Sequence, residues 1–197
     1  MKHSYETFPM DKAKGIRMLI LDIDGVMTGG DIFITDQGEQ IKAFNVRDGH
    51  GIKLLQRSGI EVAVLTGRTS KVVEHRCREL GIQHVMQGCL RKGDSIQELC
   101  EKSGIPSSEC AYMGDDVIDL PAMAYCHLSF APSDAYVAVL GKVDWVSGFA
   151  GGAGAVRQAC EGLMMANEAW DETITRAYGV FPHESGWQQV IVGSIEI

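Results

Sequence analysis

The chain has no Cys-x-x-Cys pair, and its six histidines form no His-x-x-x-His or His-Glu-x-x-His pair. The ligand spacing of a zinc site is therefore missing. No apolar run approaches the ~20 residues that a membrane-spanning helix needs, so no membrane partner is expected. Basic charge is not in excess either: 26 acidic against 18 basic residues leave a net charge of −8, which argues against a nucleic-acid-binding surface. The six cysteines are scattered and the N-terminus carries no signal-peptide pattern, so they are expected to be reduced thiols in a cytoplasmic protein.

What remains is an ordinary globular composition, 45% hydrophobic and 22% charged, which excludes disordered, collagen-like and coiled-coil classes. At 197 residues the chain allows one domain or slightly more, with a core that needs no disulfides. Residues 1–14 show no period and read as a loose N-terminal arm. Ile16–Leu21, Ile60–Leu65, His84–Met86 and Cys110–Met113 read as buried parallel strands, with helices over 51–58, 70–80, 94–103 and 154–170 between and after them. Two short strands around Gly38 make a hairpin within residues 31–46. The alternation predicts an α/β fold: a doubly wound, mainly parallel sheet carrying a hairpin insertion, over residues 15–170, followed by a tail over 171–197 with one further strand at Val190–Val192.

In such sheets the ligand sits beyond the carboxyl ends of the strands. Four strands here end in Asp22-Ile23-Asp24, Thr66-Gly67-Arg68, Gln87-Gly88 with Lys92 soon after, and Gly114-Asp115-Asp116-Val117-Ile118-Asp119. Singly, each has a dull explanation as a cap, a turn or a wet surface residue. Together they bring at least three carboxylates to one edge, where they repel unless a cation lies between them. A hard divalent ion such as Mg²⁺ suits one or two carboxylates plus waters and a substrate phosphate. A nucleophilic carboxylate, a lysine and a divalent ion are the parts that phosphoryl transfer uses. The basic residues crowded between Arg47 and Lys92 suit a small anion.

These four stretches, in this order, resemble the signature motifs of the haloacid dehalogenase superfamily of phosphatases. More narrowly, Phe44-Asn45-Val46-Arg47-Asp48-Gly49, Arg76–Gly81 and Gly151–Arg157 resemble its branch that dephosphorylates an eight-carbon 3-deoxy-octulosonate 8-phosphate, the similarity running from about Ile16 to Leu163. The resemblance implies a magnesium-dependent enzyme of lipopolysaccharide core synthesis that forms an aspartyl-phosphate. It makes Asp22 the nucleophile and a metal ligand, and Asp24 the general acid and then base, with its backbone carbonyl on the metal. Thr66 and Lys92 then hold phosphoryl oxygens, Asp115 completes the metal shell, and Asp116 and Asp119 support it. Asn45, Val46, Arg47, Asp48 and Gly49, with Arg68 and Arg76, are expected at the sugar acid, and Lys53 stands where such enzymes carry an arginine. The hairpin and one helix fill the interval between Asp24 and Thr66, leaving no room for a cap domain. The resemblance implies instead a homotetramer in which the hairpins pack together through Ile32, Phe33, Ile34 and Phe44.

Other readings meet the same residues less well. A phosphorelay receiver has its acidic pair first and its lysine late, the reverse of the order here. A non-catalytic regulatory partner of a sugar-nucleotide enzyme would have no need of every catalytic position. A phosphatase for a nine-carbon, sialic-acid-type 9-phosphate would use identical chemistry, and a pocket discriminates one such group by only ~1–3 kcal/mol.

Overall fold

The computed structural model describes residues 5–179. Its centre is β1 (Met18–Leu21), buried along its whole length. β1 pairs in parallel with β4 (Glu61–Leu65) on one side and β6 (Cys110–Met113) on the other. Outward from these lie β5 (His84–Met86) and, on the far side, β7 (Leu128–Ala131) and β8 (Trp145–Val146), all parallel. The order β5-β4-β1-β6-β7-β8 reverses direction at β1. That reversal opens a crevice between the carboxyl ends of β1 and β6, the place where doubly wound sheets bind ligands. The remaining strands, β2 (Phe33–Ile34) and β3 (Gln40–Ile41), form the separate antiparallel hairpin.

Successive residues of β1 serve opposite faces, as the period of a strand requires. Leu19 and Leu21 pack with Ile52, Leu54 and Leu55 of α2 (Val46–Arg57), Val73, Cys77 and Leu80 of α3 (Lys71–Leu80), and Val156, Ala159 and Leu163 of α7 (Ala155–Ala166). Met18 and Ile20 pack with Ile96 and Leu99 of α4 (Lys92–Ser103), Ala122 and Met123 of α5 (Leu120–Tyr125), and Val139 of α6 (Val137–Leu140). Among the described residues, no helix is long and apolar enough to cross a membrane.

Both ends of the described chain are more firmly built than their composition predicts. Residues 5–13 are not a loose arm: a short helix α1 (Met10–Ala13) follows Phe8, whose buried ring meets Phe130 and Trp145 edge-on or tilted at 5.5 and 5.0 Å. Asn167 ties this arm down, accepting from Gly15 N at 2.9 Å and donating to the Ala13 carbonyl at 3.1 Å. The helix expected over 154–170 ends at Ala166, and Glu168 turns the backbone with a positive φ of 56°. The tail then starts as α8 (Trp170–Tyr178), which buries Trp170, Thr173 and Ile174 against the α2–α7 layer. An apolar i, i+4 pair, Trp170 and Ile174, carries that docking. The strand expected at Val190–Val192 lies outside the described residues.

Candidate active site

Asp22 follows β1 directly, and its backbone N–H donates to the Met113 carbonyl at 3.0 Å, so the β1–β6 ladder runs one residue into the site. Across the crevice, Gly114 and Asp115 follow β6. Thr66 is held in the same manner at the end of β4, donating its N–H to the Met86 carbonyl at 3.0 Å, and it is buried. Lys92 opens α4. Four strand ends therefore deliver the four expected groups to one edge of the sheet.

The carboxylates of Asp22, Asp115 and Asp119 offer oxygens that all lie within 4.8 Å of one another. Their duties differ. Asp119 is fully engaged: Oδ1 accepts from Lys92 Nζ and from the Tyr112 hydroxyl, both at 2.6 Å, and Oδ2 accepts from the backbone N–H groups of Asp115 and Asp116 at 3.1 and 3.2 Å. Gly114 permits this, since a Cβ there would lie 2.4 Å from the Asp119 carboxyl carbon. Asp119 is thus an anchor for Lys92 and for the loop that carries Asp115. Asp116 is exposed and caps the turn at Val117, whose N–H it accepts at 2.6 Å, so it stands outside the carboxylate cluster.

Asp22 and Asp115 are left to meet a cation. Lys92 Nζ lies 3.0 Å from Asp22 Oδ1, yet that buried oxygen receives no well-directed hydrogen bond. Burial, relieved by Lys92 and aggravated by Asp119, raises the Asp22 carboxyl to about 6. Burial and the neighbouring Asp22, Asp119 and Asp116 carboxylates raise Asp115 to about 7. Burial alone would lower the Lys92 ammonium, but Asp22 and Asp119 outweigh it and push it up. Two carboxyls held above their usual range mainly by burial, with neighbouring carboxylates adding to it and one oxygen orphaned, are what a hard divalent ion relieves. Gly25 belongs to the same cradle: its φ is +87°, and a Cβ there would fall 2.1 Å from Asp115 Oδ2. Oxygen donors of this kind fit Mg²⁺.

Asp24 turns toward the hairpin. Its Oδ1 takes a hydrogen bond from Lys42 Nζ, and Arg68 Nε lies 3.6 Å from Oδ2. Lys42 escapes the sequence reading; its only signal is the alternation Ile41-Lys42, which places one side chain on each side of the ribbon.

The segment 45–49, expected at the sugar acid, also carries a structural duty. It is the start of α2, and Asn45 is the N-cap, accepting from the N–H groups of Arg47 and Asp48 at 2.8 and 3.3 Å. Asn45 Nδ2 also donates to the Gly152 carbonyl, and the Asp48 carboxylate accepts from Gly154 N and Arg157 N. Gly152 N in turn donates to the Val26 carbonyl, so this segment props the loop after Asp24. Asn45, Asp48 and Gly49 are engaged in that scaffold, while Val46 and Arg47 are exposed. Arg76 donates to Glu79 Oε2 at 2.9 Å, lies over the Phe44 ring at 5.6 Å and packs where a Cβ on Gly49 would sit 2.3 Å away. It clamps the start of α2 and lines a surface cavity of about 590 Å³ with Phe44, Val46, Lys71 and His75. Lys53 is not brought to the crevice: it borders a shallow depression of about 410 Å³ with Arg57, Arg78 and Gly81, toward the end of α2 that runs back to the amino edge of the sheet.

The profile of the haloacid dehalogenase-like hydrolases matches residues 46–127. The chain belongs to that family. It is 48% identical over 166 residues to the 3-deoxy-D-manno-octulosonate 8-phosphate phosphatase of Salmonella typhi, covering 84% of this chain and 88% of that one. The crystal structure of the 3-deoxy-D-manno-octulosonate 8-phosphate phosphatase from Yersinia pestis superposes with a TM-score of 0.79 at 44% identity, over 81% of this chain and 86% of the other. That from Moraxella catarrhalis, solved in complex with magnesium, phosphate and the free sugar acid KDO, superposes with a TM-score of 0.83 at 36% identity, over 89% and 99%.

Proposed function

We propose that the protein is a magnesium-dependent phosphatase that hydrolyses 3-deoxy-D-manno-octulosonate 8-phosphate to the free sugar acid and phosphate, a step of lipopolysaccharide core synthesis. The observation that carries this reading is the pairing of Asp22 and Asp115 across the switch-point crevice, beside a buried Lys92, in a chain so similar to phosphatases of that substrate.

Asp22, Asp115 and the backbone carbonyl of Asp24 are the groups that would hold Mg²⁺, which when bound neutralises charge on the phosphoryl oxygens and on Asp22. An Asp22 carboxylate oxygen attacks phosphorus, the bond from phosphorus to the sugar oxygen breaks, and Asp24 gives its proton to that oxygen. Asp24 then takes a proton from water as the water oxygen attacks phosphorus, and the Asp22–phosphorus linkage breaks to free phosphate. Lys92, fixed by Asp119, and Thr66, fixed on the β4–β5 ladder, hold the remaining phosphoryl oxygens. Arg68 and Arg47 supply charge for the sugar carboxylate, since the guanidinium fork binds carboxylates in bidentate fashion.

The interval between Asp24 and Thr66 holds the hairpin, α2 and the core strand β4 and no further element that could cover the site, so the site is open on that side. Phe33, Ile34 and Ile41 are each more than half exposed, an apolar patch suited to closing the site by assembly, and the homotetramer is part of the same reading. Six unpaired thiols accord with a cytoplasmic location.

Phosphate release from the eight-carbon 8-phosphate and a nine-carbon 9-phosphate, each with Mg²⁺ and with chelator, tests this. A magnesium-dependent preference for the eight-carbon ester is expected. Preference for the nine-carbon ester would overturn the substrate, and release from neither by folded protein would overturn the enzyme.

A further inference from the structure

The hairpin is built inside out. Its apolar residues Phe33, Ile34 and Ile41 are 59%, 68% and 57% exposed, whereas the cation next to Ile41, Lys42, is 7% exposed with its side chain fully covered. A lysine so placed needs a charge partner, because burying an ammonium without one costs far more than a surface contact returns. Its partner is Oδ1 of Asp24, 18 positions earlier, and the pair closes the hairpin onto the loop after β1. The other cation near Asp24 is a looser companion: Arg68 is 60% exposed and stands 3.6 Å from Oδ2, beyond a good hydrogen bond.

The two oxygens of Asp24 are therefore not equivalent. We propose that Lys42 is a positioning residue for proton transfer: it holds Oδ1, turns Oδ2 toward the reacting oxygen, and makes the hairpin part of the active site. This rests on the acid–base role given to Asp24 above. Lys42 touches Asp24 and acts through it, so a shift of the ribbon is passed to the carboxylate by a single side chain.

The test is a double-mutant cycle on the full-length protein with saturating Mg²⁺, using Lys42→Met, Asp24→Asn and the double variant, with kcat and KM measured on the eight-carbon ester. Positioned proton transfer contributes roughly 10²–10⁴-fold to such reactions. Lys42→Met is expected to lower kcat by about 10-fold or more with KM nearly unchanged, and to lower it no further in the Asp24→Asn background. Lys42→Gln, which keeps a donor without the charge, enters the same cycle if Lys42→Met does not fold. A normal kcat in Lys42→Met, a raised KM with normal kcat, or an equal loss in the Asp24→Asn background would each overturn the proposal. Full activity in Asp24→Asn alone would instead overturn the acid–base role beneath it.

Discussion

Lys92 and Asp119, 27 positions apart, form an ion pair 2.6 Å long in which neither side chain exceeds 1% exposure. The helix start of α4 is thereby fixed to the loop after β6, and the ammonium is aimed at Asp22. Breaking such a pair from one side leaves an uncompensated charge, which costs about 3–5 kcal/mol. Asp119→Ala also strips partners from the Tyr112 hydroxyl and two backbone N–H groups. It should lower urea-unfolding stability by at least that amount and reduce turnover sharply. A variant with unchanged midpoint and rate would remove Asp119 from its anchoring role.

The pH dependence of the metal-free protein follows from Asp22 and Asp115. Their carboxyls are raised from the usual 3.8 to about 6 and about 7, mainly by burial. Between about pH 4 and pH 7 the folded chain holds protons that the unfolded chain has lost, so stability falls as pH rises through that window. Mg²⁺ held by the deprotonated pair, as proposed, would oppose the fall, and its affinity is expected to weaken below about pH 6. Thermal melts at pH 5 and pH 8, with chelator and with Mg²⁺, check this. A chelated protein more stable at pH 8 than at pH 5 would contradict the electrostatics of the cluster.

Gly25→Ala should act on the metal rather than on the fold at large. The new methyl would need the space of the Asp115 carboxylate, at a φ that disfavours any side chain. The concentration of Mg²⁺ giving half-maximal activity is expected to rise by about 10-fold or more, equivalent to at least ~1.4 kcal/mol. An unchanged magnesium titration would place Asp115 outside the metal shell.

Assembly should depend on the outward face of the hairpin. Replacing Phe33, Ile34 and Ile41 together by serine removes exposed apolar surface and disturbs no buried residue. If the native chain assembles as proposed, light scattering is expected to show a smaller species for the triple variant than for the native protein. A native protein that is already monomeric, or a triple variant that still assembles, would refute the hairpin interface.

The strand ends were readable from sequence because a buried parallel strand is a short apolar run and the polar residues that follow it stand out: Asp22, Thr66 and Asp115 each occupy that position. The division of labour among the carboxylates was not readable, since the same motif holds Asp115, Asp116 and Asp119, and only packing decides that Asp119 faces inward to Lys92 while Asp116 caps a turn. The helix α2 begins at Val46 rather than Gly51 because Asn45 caps it, a signal obscured by two glycines in the first turns. For Lys53 and Arg76 the expectation came from resemblance, since periodicity does not report which face of a helix looks toward the crevice. Phe8 and Trp170 were hidden because a single aromatic in a polar stretch carries no period, yet each buries enough area to dock a terminus.

The most direct measurement is a rapid acid quench of the Mg²⁺-loaded enzyme with the eight-carbon ester, followed by mass spectrometry of its peptides. A phosphoryl group on the peptide carrying Asp22, absent from Asp22→Asn and from chelated protein, is the predicted result. Full turnover by Asp22→Asn, or a phosphoryl group found on another residue, would contradict the assignment of Asp22 as nucleophile.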